Sequence, residues 1–235
     1  MFRYLLVPAF MVSIAGSALA SDPLTDAMQK TYVPYRVALF KTNAKAQEES
    51  RQAVLQAQQG WNRLATELGA NPPPPYAGDP GLAASLDAVG KVYVKALAEV
   101  ERNQLVEAHE TLEDVRDVMA DLRRRNQVIV YSDHMNAYHA EMEHFLNVGE
   151  KALAAPNGLL ELTAKVGVLE YLAGRLMSEA PADLAKNEEF VAMHKAVQKS
   201  VADLKASLFA QDSAKVKEAF SKLKQLYSKM FIKFG

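Results

Sequence analysis

An all-α fold follows from three features of this 235-residue chain. Apolar residues recur at spacings of three and four through most of its length, no run alternates with strand period over sheet length, and turn-forming clusters cut the chain into segments of helix size. The expected architecture is an antiparallel helical bundle of six to seven helices. The first segment, 34–68, carries Val37, Phe40, Ala44, Val54, Leu55, Trp61, Leu64 and Leu68 at helical spacing, and Asn71-Pro72-Pro73-Pro74-Pro75 then stops it, because proline cannot continue a helix. A second helix is expected from about Gly81 to Val100. A third runs on to Arg125, with Leu105, Ala108, Leu112, Val115, Met119 and Leu122 on one face. Its Arg123-Arg124-Arg125 ending suits the negative end of a helix dipole.

The segment 127–131 is the one β-like run, and five residues cannot build a sheet without partners. Ser132 or Asp133 then offers an N-cap for a helix to about Leu153, closed by Pro156-Asn157-Gly158. Three more helices are expected over 159–177, 187–208 and 212–231, separated by Glu179-Ala180-Pro181 and Ala210-Gln211-Asp212.

Composition narrows the function before any motif is considered. Twenty-seven basic residues balance 28 acidic ones, a net charge of −1, which argues against a nucleic-acid binder. The absence of cysteine excludes disulfides, zinc thiolates, iron–sulfur clusters, thiol nucleophiles and covalent c-type haem. The first twenty residues read as a secretory signal: Arg3 supplies the positive start, 4–14 the apolar run, and Ala18-Leu19-Ala20 the small residues a signal peptidase reads. The mature chain is then expected to begin at Ser21 in an exported compartment, most simply the periplasm. No later run is long enough to span a bilayer, so no membrane span is expected after cleavage.

An internal echo divides what is left. Glu107-Ala108-His109-x-x-Leu112-x-x-Val115 matches Glu218-Ala219-Phe220-x-x-Leu223-x-x-Leu226, and 95–100 resembles 199–204. This organises the chain as a signal at 1–20, an N-terminal half at 21–130 and a C-terminal half at 131–235, with one continuous bundle as the alternative.

The terminal stretch Leu223-Lys224-Gln225-Leu226-Tyr227-Ser228-Lys229-Met230-Phe231-Ile232-Lys233-Phe234, with the leader and the antiparallel helix pattern, resembles the exported haem-binding four-helix bundles of cytochrome c-prime type. In that family a Lys-containing helix ends in Cys-x-x-Cys-His followed by an aromatic residue. Tyr227, Met230 and Phe231 stand here where Cys, Cys and His would be. The resemblance therefore implies a bundle without covalent haem, and no haem ligand is carried over. By their spacing alone, Tyr227, Met230, Phe231 and Phe234 read as the core face of the last helix.

Three of five histidines fall within eleven residues, His134, His139 and His144. On a helix, Met135, Tyr138, His139, Met142 and Leu146 share one stripe, with His134 to one side and His144 nearly opposite. Met135, His139 and Met142 form a thioether and imidazole set suited to copper, especially Cu(I). His139 with Glu143, and His109 with Glu113, are His-x-x-x-Glu pairs whose side chains can reach one harder divalent ion. Glu141-x-x-His144 matches half of a di-iron element, but no second copy accompanies it. If the third and fourth helices form an antiparallel hairpin, His109 lies seventeen residues before Asn126 and His139 six after Asp133, so ~1.5 Å per residue puts them ~16 Å apart. The same arithmetic brings Glu113 and Glu143 within ~4.5 Å along the axis.

The candidate ligands are therefore His139, Met142, Met135, Glu143, His109 and Glu113. The expected function is metal handling, sensing or electron transfer through copper or another divalent metal, or through a non-covalent haem. The competing readings are structural: His139 as a core residue with one hydrogen-bond partner, the methionines as core filling, His109 with Glu113 as an exposed pair, and His134, His144 and His194 as surface residues. On those readings the chain is a cofactor-free helical protein that presents a face to an exported partner.

Overall fold

The computed structural model describes residues 23–235, so the leader expected at 1–20 and the start of the mature chain lie outside the described residues. Among the described residues the chain forms nine α-helices and no strand. These are α1 (Pro23–Asn43), α2 (Gln47–Gly69), α3 (Leu82–Glu101), α4 (Leu105–Arg125), α5 (Tyr131–Ala152), α6 (Gly158–Ser178), α7 (Ala182–Ala185), α8 (Glu188–Phe209) and α9 (Ser213–Phe234), with a single 3-10 turn at Tyr76–Gly78.

The helix count exceeds the expected six to seven for two reasons. The four-residue α7 follows the Pro181 turn, and the segment expected as one helix over 34–68 is two. Pro34 lies inside α1, where burial of Leu24, Met28, Tyr32 and Tyr35 outweighs the hydrogen bond that proline removes. The chain then reverses at Ala44-Lys45-Ala46. Phe40 and Ala44, named among the apolar residues at helical spacing, are exposed, because the apolar stripe of α1 follows Tyr32, Tyr35, Ala38 and Leu39 instead.

That reversal has no glycine. Lys45 takes φ 56°, its N–H donates to Thr42 O, and Ala46 N–H donates back to Lys41 O. The turns after α3 and α8 repeat it, with Asn103 at φ 57° and Gln211 at φ 55°, and with Gln104 and Asp212 N–H returning to Glu99 O and Ser207 O. These are Schellman closures, whose left-handed residue is usually glycine or asparagine. Only Asn103 advertises the turn by its residue type.

Helices α1 to α4 close a ring in which α1 packs on α2, α2 on α3, α3 on α4 and α4 on α1. Helices α5, α6, α8 and α9 close a second ring in the same order. Each ring has its own core. The first is built on Tyr32, Trp61, Tyr93 and Leu112, with Trp61 Nε1 donating to Leu86 O at 2.8 Å. The second is built on Met135, Phe145, Leu169, Phe190 and Tyr227. The α4 stripe read from sequence, Leu105 to Leu122, is buried at all six positions.

The β-like run at 127–131 is a link and not a strand. Gln127 turns at φ 58°, and Val130 is the extended residue before α5. Asp133, expected with Ser132 as the N-cap, sits one turn inside the helix and accepts from Val130 N–H at 3.1 Å. It is also clamped by the guanidinium of Arg123, whose Nε lies 3.0 and 3.1 Å from its two oxygens. The end of α4 is thereby tied to the start of α5, and α5 joins the second ring instead of pairing with α4 as a hairpin. Across the seam Tyr32 and Asn136 exchange hydrogen bonds at 3.1 and 3.2 Å, Arg36 donates to Phe231 O at 3.0 Å, and α1 packs on α9.

Candidate functional site

A cavity of about 310 Å³ opens at this seam, walled by α1, α4, α5 and α9. Each helix contributes one stripe: Arg36, Leu39, Phe40 and Asn43 from α1; His109, Glu113 and Arg116 from α4; His139, Glu143 and Asn147 from α5; Lys224, Tyr227, Ser228, Phe231 and Ile232 from α9. The stripes follow the three-and-four spacing of one helix face. On α4 the cavity residues sit one position beyond the core residues Ala108, Leu112 and Val115, about 100° further round the same helix. The helical register that buries one stripe therefore presents the next to the cavity.

Four of the six sequence-predicted ligands meet here. His139 Nε2 lies 3.5 Å and His109 Nε2 3.9 Å from the same oxygen, Glu113 Oε1, and Glu143 Oε1 lies 3.0 Å from Lys224 Nζ. The ~16 Å separation expected for a hairpin does not hold, because the link at 126–130 sends α5 into the other ring, where it faces α4 across the seam. Met135 and Met142 do not join. Both are fully buried in the second core, away from the cavity wall, and Met135 O accepts from Tyr227 Oη at 2.8 Å. One residue of rotation separates Met142 from Glu143, enough to move the side chain from core to cavity.

Four of the five histidines depart from the structural readings of the sequence. His139 is not a core residue: it is about one-fifth exposed, and its ring packs on Tyr227 at 5.6 Å between centroids. His109 and Glu113 are half-buried and not an exposed pair. His194, read as surface, is buried, with Nε2 2.8 Å from Ala173 O. His134 is half-buried beside Glu179, while His144 is exposed as expected.

Protonation follows from the partners. His109 Nδ1 is 3.1 Å from Leu39 O and 3.1 Å from Thr42 Oγ1. A carbonyl oxygen only accepts, so Nδ1 carries the proton and Nε2 presents a lone pair toward Glu113. Burial lowers the His109 pKa and keeps the ring neutral at neutral pH. The contact with His139 holds the Glu113 carboxyl below its ordinary value against the opposing effect of burial, and Arg116, 3.7 Å away, adds to it. A neutral imidazole lone pair and an ionised carboxylate thus face each other across 3.9 Å, two acceptors with room for a cation between them.

The separations have a chemical meaning. Two donors each ~2.1 Å from a tetrahedral ion stand ~3.4 Å apart, and the two observed imidazole–carboxylate distances lie at and just above that edge. Among the described residues, however, no three His, Cys, Asp or Glu side chains form a ready-made coordination cluster. The trio is a carboxylate shared by two imidazoles, and an ion would have to draw the imidazoles together.

Sequence reading missed the cations. Arg116 follows Glu113 by three residues on the same face and was legible by that spacing. Arg36 and Lys224 lie 73 residues before His109 and 85 after His139, and only the packing of α1 on α9 brings them in. Comparison with family models, with curated proteins and with solved structures returned no match for this chain.

Proposed function

We propose that this chain is an exported helical protein that binds a divalent metal ion at His109, Glu113 and His139, in a handling or sensing role. The observation that carries the reading is the 3.1 Å contact of His109 Nδ1 with Leu39 O, from which the tautomer is assigned. The Nδ1–H is held by Leu39 O, which turns the Nε2 lone pair to the carboxylate that His139 also reaches. Metal-binding histidines characteristically donate their second ring N–H to such a carbonyl, which fixes the ring and raises ligand basicity. With both methionines in the core, the donor set is nitrogen and oxygen, which favours Zn²⁺, Ni²⁺, Cu²⁺ or Fe²⁺ over Cu(I). The cavity volume lies at the small end of ligand pockets, which favours an ion with small co-ligands over haem.

Metal analysis, followed by titration of protein purified without chelator or metal-affinity resin, tests this. About one equivalent of metal is expected in the wild type, lost in Glu113→Gln and in His139→Ala with helical content retained. A wild-type protein that takes up none of the four ions overturns it.

A second reading, a helical protein that presents a face to a protein partner, is supported by α6. Leu160, Val168 and Tyr171 are 73%, 47% and 63% exposed along one face of that helix. On this reading Glu113→Gln leaves the function intact.

A further inference from the structure

The seam cavity is lined by cations that the metal reading leaves unused. Three cationic side chains line the cavity, Arg36, Arg116 and Lys224, against two carboxylates, Glu113 and Glu143. The carboxylates each stand beside a cation: Glu143 Oε1 lies 3.0 Å from Lys224 Nζ, and Glu113 is shared by the two imidazoles and Arg116. Arg36 has no acidic partner among the described residues. It is only 7% exposed, one of its terminal nitrogens is spent on Phe231 O, and its Nε has no hydrogen-bond partner.

A buried guanidinium with no acidic partner, on a residue that lines a cavity holding three cations against two carboxylates, calls for an anion. The backbone bond to Phe231 O fixes the guanidinium across the α1–α9 seam, so the group is held in place before any ligand arrives. Beside it stand Leu39, Phe40, Phe231 and Ile232, which offer apolar contact that a bare inorganic anion would not use. Asn43 and Ser228 add neutral hydrogen-bonding groups on the same wall.

We infer that the cavity binds a small organic carboxylate, its charged head on Arg36 and Arg116 and its apolar body against Leu39, Phe231 and Ile232. The proposal shares the cavity of the metal reading but does not need the metal. The two ligands would be neighbours, because Arg116, which the carboxylate head would use, stands 3.7 Å from Glu113.

The test is calorimetric titration of the full mature chain, stripped of metal on a chelating resin, with butyrate, succinate and inorganic phosphate in turn. Butyrate or succinate is expected to bind, and Arg116→Gln to weaken it by about tenfold or more, as loss of a charge-assisted contact does. Arg36→Gln should do the same. Because Arg36 is buried, Lys224→Gln at the half-exposed rim of the cavity provides a variant whose fold is not at stake, with a smaller loss in the same direction. Glu113→Gln removes a negative charge from the cavity, so it should leave carboxylate binding unchanged or tighter while it abolishes metal uptake.

That opposition separates the two readings: a wild type that binds carboxylate but no metal overturns the metal site alone. Carboxylates that give no heat at millimolar concentration overturn the present proposal. So does binding that none of the three cation variants weakens, and binding of phosphate alone overturns the carboxylate class.

Discussion

Two acidic residues stand on either side of the same seam, each beside an arginine, and are treated in opposite ways. Asp133 is saturated: Arg123 binds both of its oxygens, Val130 N–H donates to one of them, and the guanidinium is buried. Glu113 has three neighbours, His109, His139 and Arg116, yet all stand at 3.5 to 3.9 Å beside open cavity. The first geometry spends every lone pair on holding α4 to α5. The second holds its partners at longer range, where something that arrives can displace them. The same types of side chain make a lock or a site according to whether the hydrogen-bonding shell is closed.

The largest effect should come from opening the lock. Arg123→Ala leaves Asp133 half-buried without its cation and is expected to cost about 3 to 5 kcal/mol, the range for breaking a buried pair, read by denaturant unfolding. A loss below about 1 kcal/mol would place Arg123 with exposed pairs and break the comparison.

Glu113→Gln is the matching test on the open side. Its ion-pair contacts are long and partly solvated, so metal-free stability should move by no more than about 1 kcal/mol. A cost equal to that of Arg123→Ala would make Glu113 a second lock.

Acid separates the two regions further. Burial lowers the pKa of His109, of His134 and of His194, so each is held neutral when folded. A histidine lowered by folding binds fewer protons in the native state, so its stability is present above the ordinary value of 6.5 and is lost as pH falls below it. Metal-free protein should therefore lose stability as pH drops from 7 to 5. Replacing His109 by Gln should flatten that slope, while Arg123→Ala should lower the whole curve without changing its shape over this range.

A second loss should follow at lower pH from Asp79. Burial works to raise its pKa, but hydrogen bonds from Asn126, Gly81 N–H and Arg125 together hold it below the ordinary carboxylate value. Its contribution is present above that value and disappears as pH falls through the lowered one. Asp79→Asn should remove this late loss and loosen the proline loop from the end of α4.

The smallest effect concerns the reversals that set both rings. Lys45→Asn puts at φ 56° a residue better suited to the left-handed region and should stabilise the protein by a few tenths of a kcal/mol, measured as a rise in thermal midpoint. No gain would show that tertiary packing already compensates the lysine.

Much of the fold was legible because local rules and packing agree. The α4 stripe from Leu105 to Leu122 is buried as its period requires, and Asn71-Pro72-Pro73-Pro74-Pro75 ends α2 where proline must. The turn at Ala210-Gln211-Asp212 was legible as a break, but the reversal at Lys45 was not, since its residue type does not announce a left-handed turn and the signal lies in the bond to Lys41 O. Of the site, the i, i+4 pairs His109 with Glu113 and His139 with Glu143 could be read from spacing. Their meeting could not, because it depends on the link at 126–130 directing α5 away from α4.

The sequence by itself determined that the chain is helical, which faces of its helices are apolar, and which pairs of imidazole and carboxylate share a helix face, because these depend on periods of three and four residues along the chain. Tertiary structure alone decided that the methionines belong to a core, that two imidazoles share one carboxylate, and that Arg36 and Lys224 join them. The physical reason is range: helix periodicity acts over a turn, whereas the cavity is made by four helices from two separately cored rings, and their mutual placement is set by contacts such as Arg123 with Asp133 and Tyr32 with Asn136.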